Sequence, residues 1–295
     1  MGTPRDAANA GRASGTLGLS HAPEHIPRIH NYVILLHLAV AALYGFAAWL
    51  RSVHGPHDPR RSATLTAIAL GLAAHGVTIA HDVFTAQGLD LSFSHALSLV
   101  AWLTVLVAAL SGLLVQIPAV RSVVLSVAAL CALAPLLASS PHRFPYAGEP
   151  WATVHISVAL IAYALFVVAG LQAIVLTGLE KRLRRGLPAE ADGAAPLLTL
   201  EQFLFRLIGA GFVLLTLTLA SGLLFSEKLF HRPLTFNHKN FFSVLGWLTF
   251  GVLLWGRWRY GWRGRHALYW IVAGTALLVL GYLGSKFVAE ILLGR

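Results

Sequence analysis

Residues 152–178, ATVHISVALIAYALFVVAGLQAIVLTG, run without one Asp, Glu, Lys or Arg and then break into Leu179-Glu180-Lys181-Arg182-Leu183-Arg184-Arg185. A helix rises 1.5 Å per residue, so about 20 apolar residues cross the roughly 30 Å hydrocarbon layer. This run is long enough to cross with residues to spare. The basic cluster at its end marks a return to water and headgroups.

Working outward, the pattern recurs. Apolar runs at 30–50, 63–81, 94–116, 121–138, 204–225, 239–256 and 267–290 reach or approach span length, the fourth being the shortest. The sequence therefore predicts an all-α integral membrane protein, a bundle of about eight transmembrane helices. Residues 1–29, small, polar and bearing Pro and Gly, read as a disordered N-terminal tail, and 30–295 as one polytopic transmembrane domain. The first run ends Trp49-Leu50-Arg51 with no cleavage pattern after it, so it is expected to stay in the mature chain. Trp255, Trp258, Tyr260, Trp262, Tyr269 and Trp270 gather where the last two runs meet, as an interfacial aromatic belt does.

Composition agrees. Hydrophobic residues make up 57% of the 295 and charged ones only 12%, against about a quarter charged in a soluble domain. The net charge of +10 sits in short connections between apolar runs and not on a water-facing surface, which argues against nucleic acid as a partner and for a lipid bilayer. The lone Cys131 lies in an apolar run, so one chain can build no disulfide, thiol relay or thiolate metal site.

Lys and Arg counts set the expected orientation. The connections after runs one, three, five and seven carry thirteen, and the opposite ones carry four: Arg143, Lys228, Arg232 and Lys239. The positive-inside rule then places both termini on the outer side, although Arg5, Arg12 and Arg28 of the tail pull the other way. The connection from 180 to 203 reads as a flexible linker.

Fourteen histidines are the unusual ligand inventory. On this topology His81, His95, His142, His155, His231 and His238 fall at the outer face, and His54, His57 and His266 at the inner one. His37 and His75 lie within spans, where a neutral imidazole bonded to a neighbouring helix is expected. Asp82 and Asp90, flanking an outer connection, read as solvated. His155 stands about one turn into the fifth run, and its imidazole can donate with one nitrogen and offer the other to heme iron. Phe236-Asn237-His238-Lys239-Asn240 opens the seventh run. His238 and His155 then suit two axial ligands, or His155 one ligand beside a propionate-binding Lys239. Helix capping by Asn237 and simple packing explain the same residues. No HExxH, GxSxG or phosphate-binding loop is present, so no enzyme is expected.

The block from His155 to Phe166, with Tyr163 eight positions after the histidine, is similar to the helix bearing an outer histidine in the transmembrane cytochrome c assembly family, the CcsA and CcmC type. Ser221-Gly222-Leu223-Leu224, then Phe241-Phe242-Ser243-Val244-Leu245-Gly246-Trp247 and the Arg-rich aromatic turn at 256–265 follow the same order. Similarity is clearest from about 90 to 290, and the smaller YpjD-like and HemX-like inner-membrane branch resembles the chain most. The resemblance implies handling of a b-type heme on the outer side of a bacterial inner membrane, with His155 in the ligand position and cytochrome-assembly or heme-synthesis proteins as partners. Two departures stand out. Residues 224–240 contain no Trp where the synthases of that family carry a Trp-rich platform, and Gly284-Ser285-Lys286-Phe287 stands where they have a second outer histidine. An accessory heme-binding or heme-handling role without synthase activity is therefore expected. A transporter for a small solute or metal ion and a cofactor-free regulatory scaffold are the alternatives.

Overall fold

The computed structural model describes residues 25–53, 60–85, 88–114, 118–137, 143–144, 150–185, 197–230 and 238–293. The tail up to residue 24, His54, His57, His142, His231, Asn237 and most of the linker, from 186 to 196, lie outside the described residues. The described elements are α1 (His25–Val53), α2 (Arg61–Asp82), α3 (Phe93–Leu114), α4 (Pro118–Cys131), the single turn α5 (Ala134–Leu137), α6 (Pro150–Arg184), α7 (Leu197–Phe230), α8 (His238–Tyr260) and α9 (Gly264–Val279). Beyond α9 the same helix continues to Leu292 through π-helical turns at Leu280–Gly284 and Val288–Leu292.

Among the described residues seven helices are long and apolar enough to cross a membrane, and Arg121–Leu137 is a shorter apolar helix. The protein is thus an all-α membrane bundle. The short segment is tied to α1 at two levels: the Ser122 hydroxyl donates to the Ala48 carbonyl near the end of α1, and the Ala132 carbonyl meets His37 near its middle. At 1.5 Å per residue Arg121–Leu137 extends about 25 Å, slightly short of the hydrocarbon layer. α1 begins five residues before the expected tail boundary. Pro27 permits this because it stands in the first turn, where a backbone N–H has no partner within the helix.

Pro135 accounts for the break between α4 and α5. Ordinary helix bonding fails around it, Leu133 and Leu136 donate instead to the carbonyls three residues back, and the Ala132 carbonyl loses its own helical donor. That carbonyl takes a histidine N–H from α1.

Two apolar clusters fill the bundle. One is built on α6 with α7, α8, α9 and the start of α3, and includes Phe166 stacked on Phe250 at 4.1 Å between ring centres. The other joins α1, α2, α3 and α4 around Tyr44 and Leu125. Small residues bring the helices close, as membrane packing requires. Gly170 faces Thr275, whose hydroxyl donates to the Phe166 carbonyl at 3.1 Å, and Gly274 lies against the Phe250 ring. At the arginine-rich end, Gly261 and Gly264 adopt φ of 67° and 59°, which closes the α8–α9 turn. Arg257 holds that turn by donating to Glu201 at 2.8 Å and to the Trp262 carbonyl at 2.9 Å.

The histidine-rich end carries a feature absent from the sequence reading, a small antiparallel sheet in the order β1-β2-β3. Its strands are β1 (Phe84–Thr85), β2 (Gly88–Asp90) and β3 (Arg143–Phe144), with Leu89 opposite both Phe84 and Phe144.

Candidate functional site

His155 lies half-buried in the second turn of α6, facing the end of α7. Its Nδ1 is 2.8 Å from Ser221 Oγ, and the Ser221 hydroxyl itself donates to the Thr218 carbonyl at 3.1 Å. With its proton engaged there, Ser221 Oγ accepts, and the hydrogen-bond pattern assigns the imidazole proton to Nδ1. The lone pair is then on Nε2. This is the tautomer of a metal-ligating histidine oriented by an outer partner. Gly222 follows directly, and a methyl group added there would stand 3.5 Å from His155 Cε1, so the helix leaves this side of the ring uncrowded.

Lys239, second residue of α8, has part of its surface exposed, but its ammonium turns inward to lie 5.1 Å from the ring centre of the buried Tyr282. Its charge reaches His155 and Lys286. Tyr282 packs on Tyr163 with ring centres 5.4 Å apart, and the Tyr163 hydroxyl is 3.4 Å from Ser243 Oγ. His238, the first residue of α8, is exposed, and among the described residues no hydrogen bond or ring contact joins it to His155. The structure therefore brings His155 and Lys239 into one electrostatic neighbourhood, with His238 at its edge.

Behind Lys239 stands an ion pair the sequence reading did not assemble. Lys286 and Glu290 are 3.3 Å apart across one helical turn, and Glu290 is buried. Glu290 accepts the backbone N–H of Phe93 at 2.5 Å, capping the start of α3 from the last helix, while Lys286 donates to the Leu91 carbonyl. A Lys and a Glu four residues apart inside an apolar span was the available signal.

Asp82 and Asp90, expected to be solvated, are mostly buried, and this reading is corrected. The Asp90 carboxylate accepts the Ser92 backbone N–H at 3.0 Å and stands 3.4 Å from His95. The Asp82 carboxyl is hydrogen-bonded to His37 Nε2 and to the exposed His81 Nδ1, each at 2.9 Å. The cause is tertiary: α1 places His37 against the end of α2, and the sheet turns the following segment back over the bundle. Deeper in, His75 bonds Ser98 at 2.9 Å and lies 3.4 Å from the Tyr44 hydroxyl. Both intramembrane histidines are thus hydrogen-bonded to neighbouring helices, as anticipated. Among the described residues no three His, Cys, Asp or Glu side chains converge to hold a metal ion.

Residues 65–293 match the family described as cytochrome C assembly protein. Inner membrane protein YpjD of Escherichia coli (strain K12) is 36% identical over 143 residues, 48% of this chain and 54% of that one. Cytochrome c biogenesis protein CcsA of Chlamydomonas reinhardtii is 29% identical over 142 residues, 48% and 39% of the two chains. The protein of the same description from Thermosynechococcus vestitus is 25% identical over 199 residues, 55% and 62%. The chain spans about half the length of the curated relatives it matches. No solved structure matches it.

Proposed function

The chain belongs to the cytochrome c assembly protein family, and from that premise we propose that it handles heme at the histidine-rich end of the bundle as an accessory protein, without forming thioether bonds. The supporting observation is the hydrogen-bond relay from His155 Nδ1 through Ser221 to the Thr218 carbonyl, which presents Nε2 as a ligand. The other residues fit the group too. Lys239 supplies a cation suited to a heme propionate, and His238 is an exposed imidazole at the same end. A b-type heme bound there would supply an iron with an axial position for an imidazole. The absence of Trp from residues 224–240 supports an accessory role over a synthase. YpjD, named an inner membrane protein, supports placement in a bacterial inner membrane, and the excess of Lys and Arg in the opposite connections supports the histidine end outward. Cytochrome-assembly or heme-synthesis proteins are the partners this role would need.

The test is the absorption spectrum of protein purified in detergent from heme-replete cells. A Soret band is expected in the wild type and a shifted or lost one in His155→Ala. A wild-type preparation without the band would refute heme handling, and an unchanged band in the variant would refute the ligand.

A further inference from the structure

At the opposite end of the molecule, α1, α2 and α4 bring four arginines together. Arg51 lies in the last turn of α1, Arg60 immediately precedes α2, Arg61 opens it, and Arg121 lies in the first turn of α4. The bond from Ser122 to the Ala48 carbonyl, 3.4 Å, holds the α4 start against the α1 end. Arg121 and Arg51 are half-buried, while Arg60 and Arg61 are exposed. Among the described residues Arg121 makes no hydrogen bond or ion pair, and the charges that act on it are those of Arg51 and Arg61. The starts of α2 and α4 add the positive ends of two helix dipoles to the same corner.

We propose that this corner is a binding site for a phosphate group, supplied by the headgroup of an anionic phospholipid. A half-buried guanidinium among like charges is stabilised by an anion. Guanidinium forks match phosphate oxygens in pairs, and helix starts present unpaired N–H groups to the same ligand. The corner lies where a span ends, at the depth of headgroups, and a basic recess between transmembrane helices is the form such lipid sites take. Several arginines suit a lipid with two phosphates better than one with a single phosphate.

Native mass spectrometry of the delipidated protein, titrated with cardiolipin, phosphatidylglycerol, phosphatidylethanolamine or inorganic phosphate, tests this. Cardiolipin is expected to bind most tightly and phosphatidylethanolamine not measurably. Arg121→Gln and Arg61→Gln should each weaken cardiolipin about fivefold, the worth of one basic side chain near a lipid surface. Arg121→Lys, which keeps the charge and loses the paired fork, should weaken cardiolipin less than Arg121→Gln does, and Arg184→Gln, at the same end on α6, should change nothing. Equal losses in Arg184→Gln and Arg121→Gln would overturn the site in favour of diffuse surface charge, as would equal affinity for phosphatidylethanolamine. Inorganic phosphate binding as tightly as cardiolipin would overturn the lipid source. Asp58, in the connection from α1 to α2 and outside the described residues, is the competing carboxylate. Cardiolipin binding seen only in Asp58→Asn would overturn the proposal by naming that side chain as the anion.

Discussion

Replacing Asp82 tests the reading of the histidine-rich end most directly. His37 is 1% exposed and uses both ring nitrogens: Nδ1 meets the Ala132 carbonyl at 2.8 Å, and Nε2 meets the Asp82 carboxyl at 2.9 Å. A carbonyl only accepts, so Nδ1 carries a proton. A second proton lies between Nε2 and the carboxyl, and the pair is net neutral whichever atom holds it. Asp82→Ala removes the partner and leaves Nε2 buried without it. Breaking a buried pair from one side costs about 3–5 kcal/mol. Asp82 is 12% exposed and serves the surface residue His81 as well, so the lower part of that range, about 3 kcal/mol, is expected. Asp82→Asn keeps an oxygen toward His37 and should cost about 1–2 kcal/mol. Replacing both residues with Leu removes the polar groups together and should cost less than Asp82→Ala alone. Equilibrium unfolding in mixed micelles of a mild and a denaturing detergent measures all four proteins. An Asp82→Ala variant within about 0.5 kcal/mol of wild type would refute the buried pair, and so would a double variant less stable than Asp82→Ala.

Four further outcomes follow from the same geometry. Ser221→Ala removes the acceptor that fixes the His155 proton on Nδ1, and heme affinity, followed by Soret titration of the detergent-purified protein, should fall about tenfold; unchanged affinity would show that Ser221 does not orient the ring. Glu290→Gln uncouples Lys286 and weakens the cap on α3, and hydrogen exchange at the Phe93 amide should rise at least several-fold, with no change at α7. Gly71→Ala places a methyl group 2.7 Å from the Tyr44 ring, and the forced shift should cost about 1–3 kcal/mol in the same unfolding assay. Arg257→Ala breaks the bonds to Glu201 and the Trp262 carbonyl, and protease sensitivity of the α8–α9 turn should rise while the spectrum at the other end stays the same.

Features fixed by run length were legible in the sequence, and features fixed by distant partners were not. The apolar run at 152–178 became α6 because span length is a local quantity, and the weak fourth run became a short helix broken where Pro135 removes a donor. The sheet escaped notice because strands of two or three residues have no periodicity to read. Asp82 was misread for a different reason. Sequence places it at the end of a span, beside water, but His37 reaches it from 45 positions away and the carboxylate leaves the solvent. His155 was visible because a lone polar residue in an apolar helix is conspicuous. Ser221, 66 positions on, has meaning only once α6 and α7 lie together. Lys286 was noticed as the occupant of a position, while its bond to Glu290 and their joint hold on the start of α3 needed the last helix packed against Leu91 and Phe93.

The charged groups at the histidine-rich end divide by compensation, and that division separates scaffold from site. The His37–Asp82 and Lys286–Glu290 pairs are each net neutral; the first joins α1 to α2, and the second, within one helix, reaches the start of α3 through Leu91 and Phe93. Their contribution is to register α1 on α2 and the last helix on α3, since a compensated pair presents little net charge to anything outside. Lys239 differs. Its ammonium rests on the face of the buried Tyr282, and among the described residues no carboxylate pairs with it. His155 differs in another way, because the relay through Ser221 spends its N–H inside the protein and turns the basic nitrogen outward from that bond. An imidazole and a cation whose charge reaches it form a set suited to a ligand with a metal and an anionic edge. The Lys286–Glu290 pair behind them fixes the last helix, which carries Tyr282 beneath Lys239, against the start of α3.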